Sequence, residues 1–207
     1  ELDEGNLPQA EAKGREALEA LAAVDGDSAA TALGARYSLA VVLHRRGAYA
    51  EAQQLFDEWE RLSAQGPPRD DLEYAQQLLS LAELAEVADS LARAERLYRN
   101  ALSIFEERLG PTHLNVAELQ QLLADVEWRS GQAAGGEARF KHAVTLLRAI
   151  HPAGQLLLSD ALLTYGENLS RAGRHTEATA RAAEGLEVRR SIVGVDALNL
   201  ATGMEGL

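Results

Sequence analysis

The sequence predicts an all-α solenoid, a single stack of antiparallel helix pairs, and three observations lead there. Gly5, Gly47, Gly131 and Gly173 fall on one register with a period of 42 residues, and the missing member, Asp89, also tolerates a left-handed turn. Small and large residues recur at fixed, helix-like offsets from these points. Breaker clusters, "DGDS", "GPPRDD", "GPTH", "HPAG" and "VGVD", return between them and bring turn and helix N-cap residue types together.

Each element follows from that register. Five positions after the turn stand Ala10, Ala52, Ala94, Gly136 and Ala178, all small, so a neighbouring helix can approach closely there. Nine positions after stand Gly14, Phe56, Tyr98, Phe140 and Ala182, and twelve after stand Ala17, Trp59, Ala101, Ala143 and Gly185. Eight positions before it come Leu39, Leu81, Leu123 and Tyr165, each followed by Ala or Gly. A unit is therefore a first helix, a short turn and a second helix.

The whole chain, 1–207, reads as one solenoid. It has a partial repeat at 1–27 with a lone second helix near 8–22, repeats at 28–69, 70–111, 112–153 and 154–195, and a partial repeat or capping helix from about 196 to 207. Ser28, Asp70, Thr112, Gly154 and Asp196 are each placed to cap a first helix. Trp59 stands where the pattern wants a small residue, so its indole is expected to turn outward or to splay the pair. The glycines of "AGG", 134–136, weaken a helix start by about 1 kcal/mol each relative to Ala.

Composition agrees with this plan. The chain has 207 residues and is 46% hydrophobic with 5% aromatics, so its core is mostly Ala and Leu, as closely packed helices require. A net charge of -12, from 32 acids and 20 bases that do not cluster, opposes binding to nucleic acid or to an anionic membrane. The absence of cysteine excludes disulfides and thiol chemistry. No apolar run is long enough to span a bilayer, and a cytoplasmic location is the default expectation. The opening residues read as the middle of a structural unit, which suggests a piece of a longer chain. The Arg-for-Lys and Ala-rich usage fits a bacterial genome.

The order Leu, small, turn Gly, Ala, aromatic, small resembles the tetratricopeptide repeat. The 42-residue period and the junction "LGPTHLNVAELQQLLADV" resemble its kinesin light chain subclass. The usual period of that repeat is about 34 residues, so longer helices and connections are expected here. The resemblance covers essentially the whole chain and implies a right-handed superhelix whose first helices line a concave groove.

His44, His113, His142, His151 and His175 are scattered, and none forms the i, i+4 pair of a helical zinc site. His113 and His151 fall in inter-repeat turns, where a structural role is expected. No P-loop follows the glycines near 135, and no Ser or Thr has a His placed to act as base. No catalytic residue, metal site or cofactor is expected.

The resemblance places groove residues on the first helices at ten, six, three and two positions before the turn. These are Tyr37, Val41, His44 and Arg45, then Leu79, Glu83, Glu86 and Val87, then Gln121, Asp125, Trp128 and Arg129, then Leu163, Glu167, Ser170 and Arg171. The row Val41, Glu83, Asp125, Glu167 is acidic in three of four units and lacks the Asn of a carboxylate clamp. That favours a peptide or helix carrying Arg or Lys, with Trp128 and Tyr37 for apolar or cation-π contacts. The alternative is that these acids pair with the neighbouring Arg row and bind nothing. Glu51 and Glu137 are expected to be exposed acids of the outer wall.

The function expected is a non-catalytic scaffold for a protein or peptide segment within a larger protein. A peptide-sensing domain that regulates an attached kinase, ATPase or DNA-binding domain is the second possibility. An RNA-binding helical repeat is opposed by charge and period.

Overall fold

The structure, a computed structural model, describes residues 6–22, 29–65, 71–150 and 152–204. Every regular element in them is a helix: α1 (Leu7–Ala22), α2 (Ala29–Arg45), α3 (Tyr49–Gln65), α4 (Leu72–Val87), α5 (Leu91–Leu109), α6 (Leu114–Arg129), α7 (Ala133–Ala149), α8 (Gln155–Arg171) and α9 (His175–Met204). The contacts divide the chain into two compact units, residues 1–69 with α1 to α3 and residues 70–207 with α4 to α9. Gly5, Ser28, Asp70 and His151 lie outside the described residues.

The turns carry the fold. Gly47, Gly131 and Gly173 have φ of 86°, 86° and 76°, and Asp89 takes the same left-handed conformation at 54°. Each closes a helix by the same pair of backbone bonds. The N–H of Gly47 donates to His44 and that of Ala48 to Leu43, and the pattern recurs as Asp89 to Glu86 with Ser90 to Ala85, Gly131 to Trp128 with Gln132 to Glu127, and Gly173 to Ser170 with Arg174 to Leu169. This 6→1, 5→2 arrangement satisfies carbonyls that a helix end leaves without partners, and it reverses the chain within three residues.

In the first unit α2 and α3 close over Leu39, Leu43, Ala52, Phe56 and Trp59, all buried. The indole of Trp59 points inward, fully buried, with its ring 5.8 Å from that of Tyr37. The outward turn expected from the repeat pattern is thus corrected, because burying so large an apolar surface outweighs keeping the position small.

In the second unit α4, α6 and α8 are first helices and α5, α7 and α9 second helices. Ala94, Ala101, Ala143 and Gly136 are buried at the crossings. A Cβ on Gly136 would come within 2.7 Å of the Ala124 carbonyl oxygen, so the residue that weakens a helix start is what lets α7 meet α6. One apolar cluster joins Ala117, Val144, Leu147, Leu158, Ala161 and Leu162, and another joins Ala124, Phe140, Tyr165, Leu169 and Ala178.

Two expectations about helix ends are corrected. The caps sit one residue later than the 42-residue spacing suggests: Asp71 accepts from the Tyr74 N–H at 2.7 Å, and His113 Nδ1 accepts from the Asn115 N–H at 3.2 Å, so Thr112 is a turn residue. Gly154 is the N-cap of α8, at the position the spacing gives, though without a side-chain bond; a Cβ there would lie 2.7 Å from the Leu147 carbonyl oxygen, so close approach dictates the glycine. A new helix from about 196 is not formed, since α9 runs through Gly194 and Asp196 to Met204. "VGVD" has no proline, and glycine alone costs a helix about 1 kcal/mol, too little to stop it.

These turns generate a test. Gly131→Ala should lower stability by about 1–2 kcal/mol, the cost of a left-handed L-residue, although open space surrounds its Cβ position. Asp89→Gly should raise the melting temperature. Gly136→Ala should cost about 1–3 kcal/mol through overpacking. Thermal melts of the three variants check the order.

Candidate functional site

The first helices of the second unit bring most of the charged sequence-chosen groove residues into one polar ladder. Glu86 on α4 accepts a hydrogen bond from the Tyr98 hydroxyl at 2.9 Å and pairs with Arg129 of α6. Arg129 also reaches Asp125 one turn back at 3.1 Å. Asp125 in turn accepts from Asn168 Nδ2 of α8 at 2.6 Å, and Arg171 donates to Asn168 Oδ1 at 3.4 Å and lies 3.5 Å from Glu167. Burial works against the charge of Arg129, but the Asp125 bond and the Glu86 and Asp125 charges overcome it and raise its pKa. Asp125 and Glu167 thus meet Arg129 and Arg171 on their own helices, while Glu86 and Asn168 link the three first helices.

The remaining chosen residues divide by burial. Leu79 and Gln121 are buried, Leu163 is half-buried, and Val87 and Ser170 are exposed. Trp128 is half-buried, 6.4 Å from the Phe140 ring and 6.2 Å from that of Tyr165. In the first unit, Tyr37 sits edge-on to Phe56 at 6.0 Å, His44 edge-on to Tyr49 at 5.0 Å, Val41 is half-buried and Arg45 exposed.

Glu83 stands outside the ladder. Burial raises its carboxyl, and the charges of Glu118 on α6 and Glu86 raise it further; burial raises Glu118 as well. Neither Glu83 nor Glu118 has a hydrogen bond or ion pair among the described residues. Beside Glu118 on α6, one turn on, the buried Gln121 Oε1 also lacks a partner. The two carboxylates share a place that a cation would neutralise.

Glu127, Glu137 and Glu51, by contrast, are answered by cations. Glu127 is buried and bonded by Arg139 at 2.9 and 3.1 Å and by Arg99 at 3.1 Å; burial pushes its carboxyl up, but those bonds outweigh it and hold it low. Glu137 is not an exposed outer acid: Arg174, Lys141 and Tyr165 all donate to it or pair with it, and Arg174 foremost lowers its pKa to about 2. Glu51 pairs with Arg15 at 2.7 Å. Sequence reasoning missed Tyr98, Glu118 and Asn168 in the site, because none lies on the four offsets chosen. For Asn168, an amide amid the apolar positions of α8 was the available signal.

Among the described residues no group of three His, Cys, Asp or Glu side chains is placed to hold a metal, and no helix is long and apolar enough to cross a membrane.

Residues 74–149, which span α4 to α7, match the family model described as tetratricopeptide repeat. This segment of the chain carries tetratricopeptide repeats. No curated protein matches it by sequence. Among solved structures, BtubC (BKLC) from P. vanneervenii is similar over 92% of this chain and 76% of its own, at 21% identity and a TM-score of 0.78. A Podosopora anserina protein, described as a kinesin light chain with nearly identical TPR-like repeats, is similar over 91% of this chain and 89% of its own, at 15% identity and a TM-score of 0.75. Aspartyl phosphate phosphatase F from Bacillus subtilis is similar over 95% of this chain and 63% of its own, at 14% identity and a TM-score of 0.68. These likenesses establish the fold. Tetratricopeptide repeats commonly mediate protein–protein interaction and are generally non-catalytic scaffolds.

The two classes of carboxylate make opposite predictions about stability. Glu83 and Glu118 have raised folded pKa values, so their charged forms are unfavourable as pH rises through those values. Glu83→Gln with Glu118→Gln should raise the melting temperature at pH 7, with the gain fading towards the ordinary value of 4.5. Glu137 has a depressed pKa, so Glu137→Gln should lower the melting temperature above pH 4.5, with the loss vanishing as pH falls towards about 2. Melts across pH check both signs.

Proposed function

We propose that this protein is a non-catalytic interaction module that binds a peptide or protein segment carrying Arg or Lys along the first helices α4, α6 and α8. The observation that carries this reading is the Glu83 and Glu118 pair: two carboxylates on adjacent first helices, Glu83 exposed and Glu118 half-buried, whose charges disfavour one another and have no cation of their own among the described residues. Asp125, Glu86 and Glu167, by contrast, already have Arg129 or Arg171. A basic side chain of a partner would supply the missing charge, and Trp128, half-buried about 15 Å further along the same helix as Glu118, offers a ring edge for an apolar residue elsewhere in the segment.

The ladder sets the geometry of such binding. Because Arg129 ties α4 to α6 and Asn168 ties α6 to α8, the three helices hold fixed spacing before a ligand arrives, and less ordering cost is left to the complex.

Fluorescence anisotropy with a panel of short labelled peptides, arginine-containing against glutamate-containing, tests the reading. The basic peptides should bind more tightly, and affinity should fall with salt, since exposed charges are screened over about 8–10 Å. Affinity should also fall as pH drops through the raised values of the pair, closer to neutrality than for ordinary carboxylates. Glu83→Gln with Glu118→Gln should weaken binding about tenfold with far-UV dichroism unchanged. Equal affinity for acidic and basic peptides, or an unaffected double variant, would overturn it.

A further inference from the structure

Between the second helices α7 and α9, over α8, lies a cavity of about 200 Å³. Buried Val144, Leu162 and Tyr165 give it an apolar floor, and the cations Lys141, Arg148 and Arg181, none of them buried, stand around it. Its size, below the roughly 300 Å³ at which small-molecule pockets begin, suits a single side chain. One repeat earlier, on α5, α6 and α7, the positions of Lys141, Arg148, Leu162 and Arg181 are held by Arg99, Glu106, Gln120 and Arg139. Both places are bounded on either side by described second helices and floored by the first helix between them, so they differ through their side chains.

In the earlier place the chain answers its own cations. Arg139 bonds buried Glu127 and donates to Gln120 Oε1 at 2.6 Å, Gln120 Nε2 donates to Glu106 at 3.2 Å, and Arg99 reaches both Glu127 and Glu95. In the later place three of those groups are replaced: Gln120 by Leu162, Glu127 by Leu169 and Glu106 by Arg148. The single carboxylate of Glu184 therefore serves both Arg148 and Arg181, the latter at 2.7 Å, and neither guanidinium makes another ion pair among the described residues. Lys141 reaches Glu137 at 2.8 Å, but Arg174 and the Tyr165 hydroxyl hold that carboxylate as well.

We propose that this cavity binds a glutamate side chain of a partner polypeptide, its carboxylate against Arg148 and Arg181 and its methylene stem on the floor of Val144, Leu162 and Tyr165. Charge complementarity selects the occupant. One further carboxylate balances the two arginines that share Glu184, and guanidinium groups hold carboxylates in paired, directional bonds. The chain as a whole carries a net charge of -12, so an anion bound here is held by the local surplus and not by general attraction. The site is independent of the basic segment proposed for α4, α6 and α8.

Nuclear magnetic resonance titration of the whole chain with a capped peptide, one glutamate between two leucines, tests this. Saturable shifts of the Arg148 and Arg181 side-chain Nε–H signals are expected, and the peptide with glutamine in place of glutamate should bind about tenfold more weakly. Arg148→Gln should weaken binding about tenfold, Arg148→Glu, which restores the charge found at Glu106, should abolish it, and Glu184→Gln, which frees both arginines, should tighten it. Glu83→Gln with Glu118→Gln should leave it unchanged, and in the Arg148→Glu variant peptides report on the first helices alone. Far-UV dichroism confirms that each variant is folded. Equal binding of the glutamate and glutamine peptides, shifts insensitive to Arg148→Glu, or weaker binding by Glu184→Gln would overturn the proposal. Concentration-dependent self-association in sedimentation, abolished by Arg148→Glu, would instead assign the cavity to a second copy and overturn the partner named here.

Discussion

Helices can cross at close range only where one of them presents no side chain or a single methyl, and that constraint organises both units. Ala94, Gly136 and Ala178 sit five residues after a left-handed turn, and the turn fixes where along the neighbouring helix the gap arrives. At Gly136 the margin is so small that a single Cβ would strike the α6 backbone. The aromatic four residues later, Tyr98 or Phe140, then enters the space beside the crossing. Phe140 stacks on Tyr165 at 5.2 Å with the planes 9° apart. Turn, gap and ring are one device, repeated.

Such close backbones leave polar side chains little room, and the chain resolves this with arginine. A planar guanidinium reaches two acids at once, so Arg129 bridges Glu86 and Asp125, and Arg174 bridges Glu137 and Glu177. Buried Glu127 is retained only because Arg99 and Arg139 both meet it. Against that background, acids without such a partner identify themselves. Glu83 and Glu118 are acids of the first helices that remain once every arginine of the ladder is assigned, and on the function proposed above they are where a partner's charge would go.

The helices, their turns at 47, 89, 131 and 173 and the small residues at the crossings were legible in the sequence, because each depends on local backbone chemistry repeated at one spacing. The offsets also named Glu86, Asp125, Arg129 and Arg171, which the structure joins in one ladder. What sequence could not decide was where a side chain goes when its own helix allows several directions. Trp59 turned inward, the caps moved to Asp71 and His113, and α9 continued past Gly194, each because contacts or costs outside the local pattern prevailed. Likewise, that Asp125 is engaged and Glu83 is not follows only from which residues of other helices come within hydrogen-bond reach. Local spacing determines the repeat; the neutralisation of each charge is a property of three helices at once, and only the tertiary structure brings those helices together.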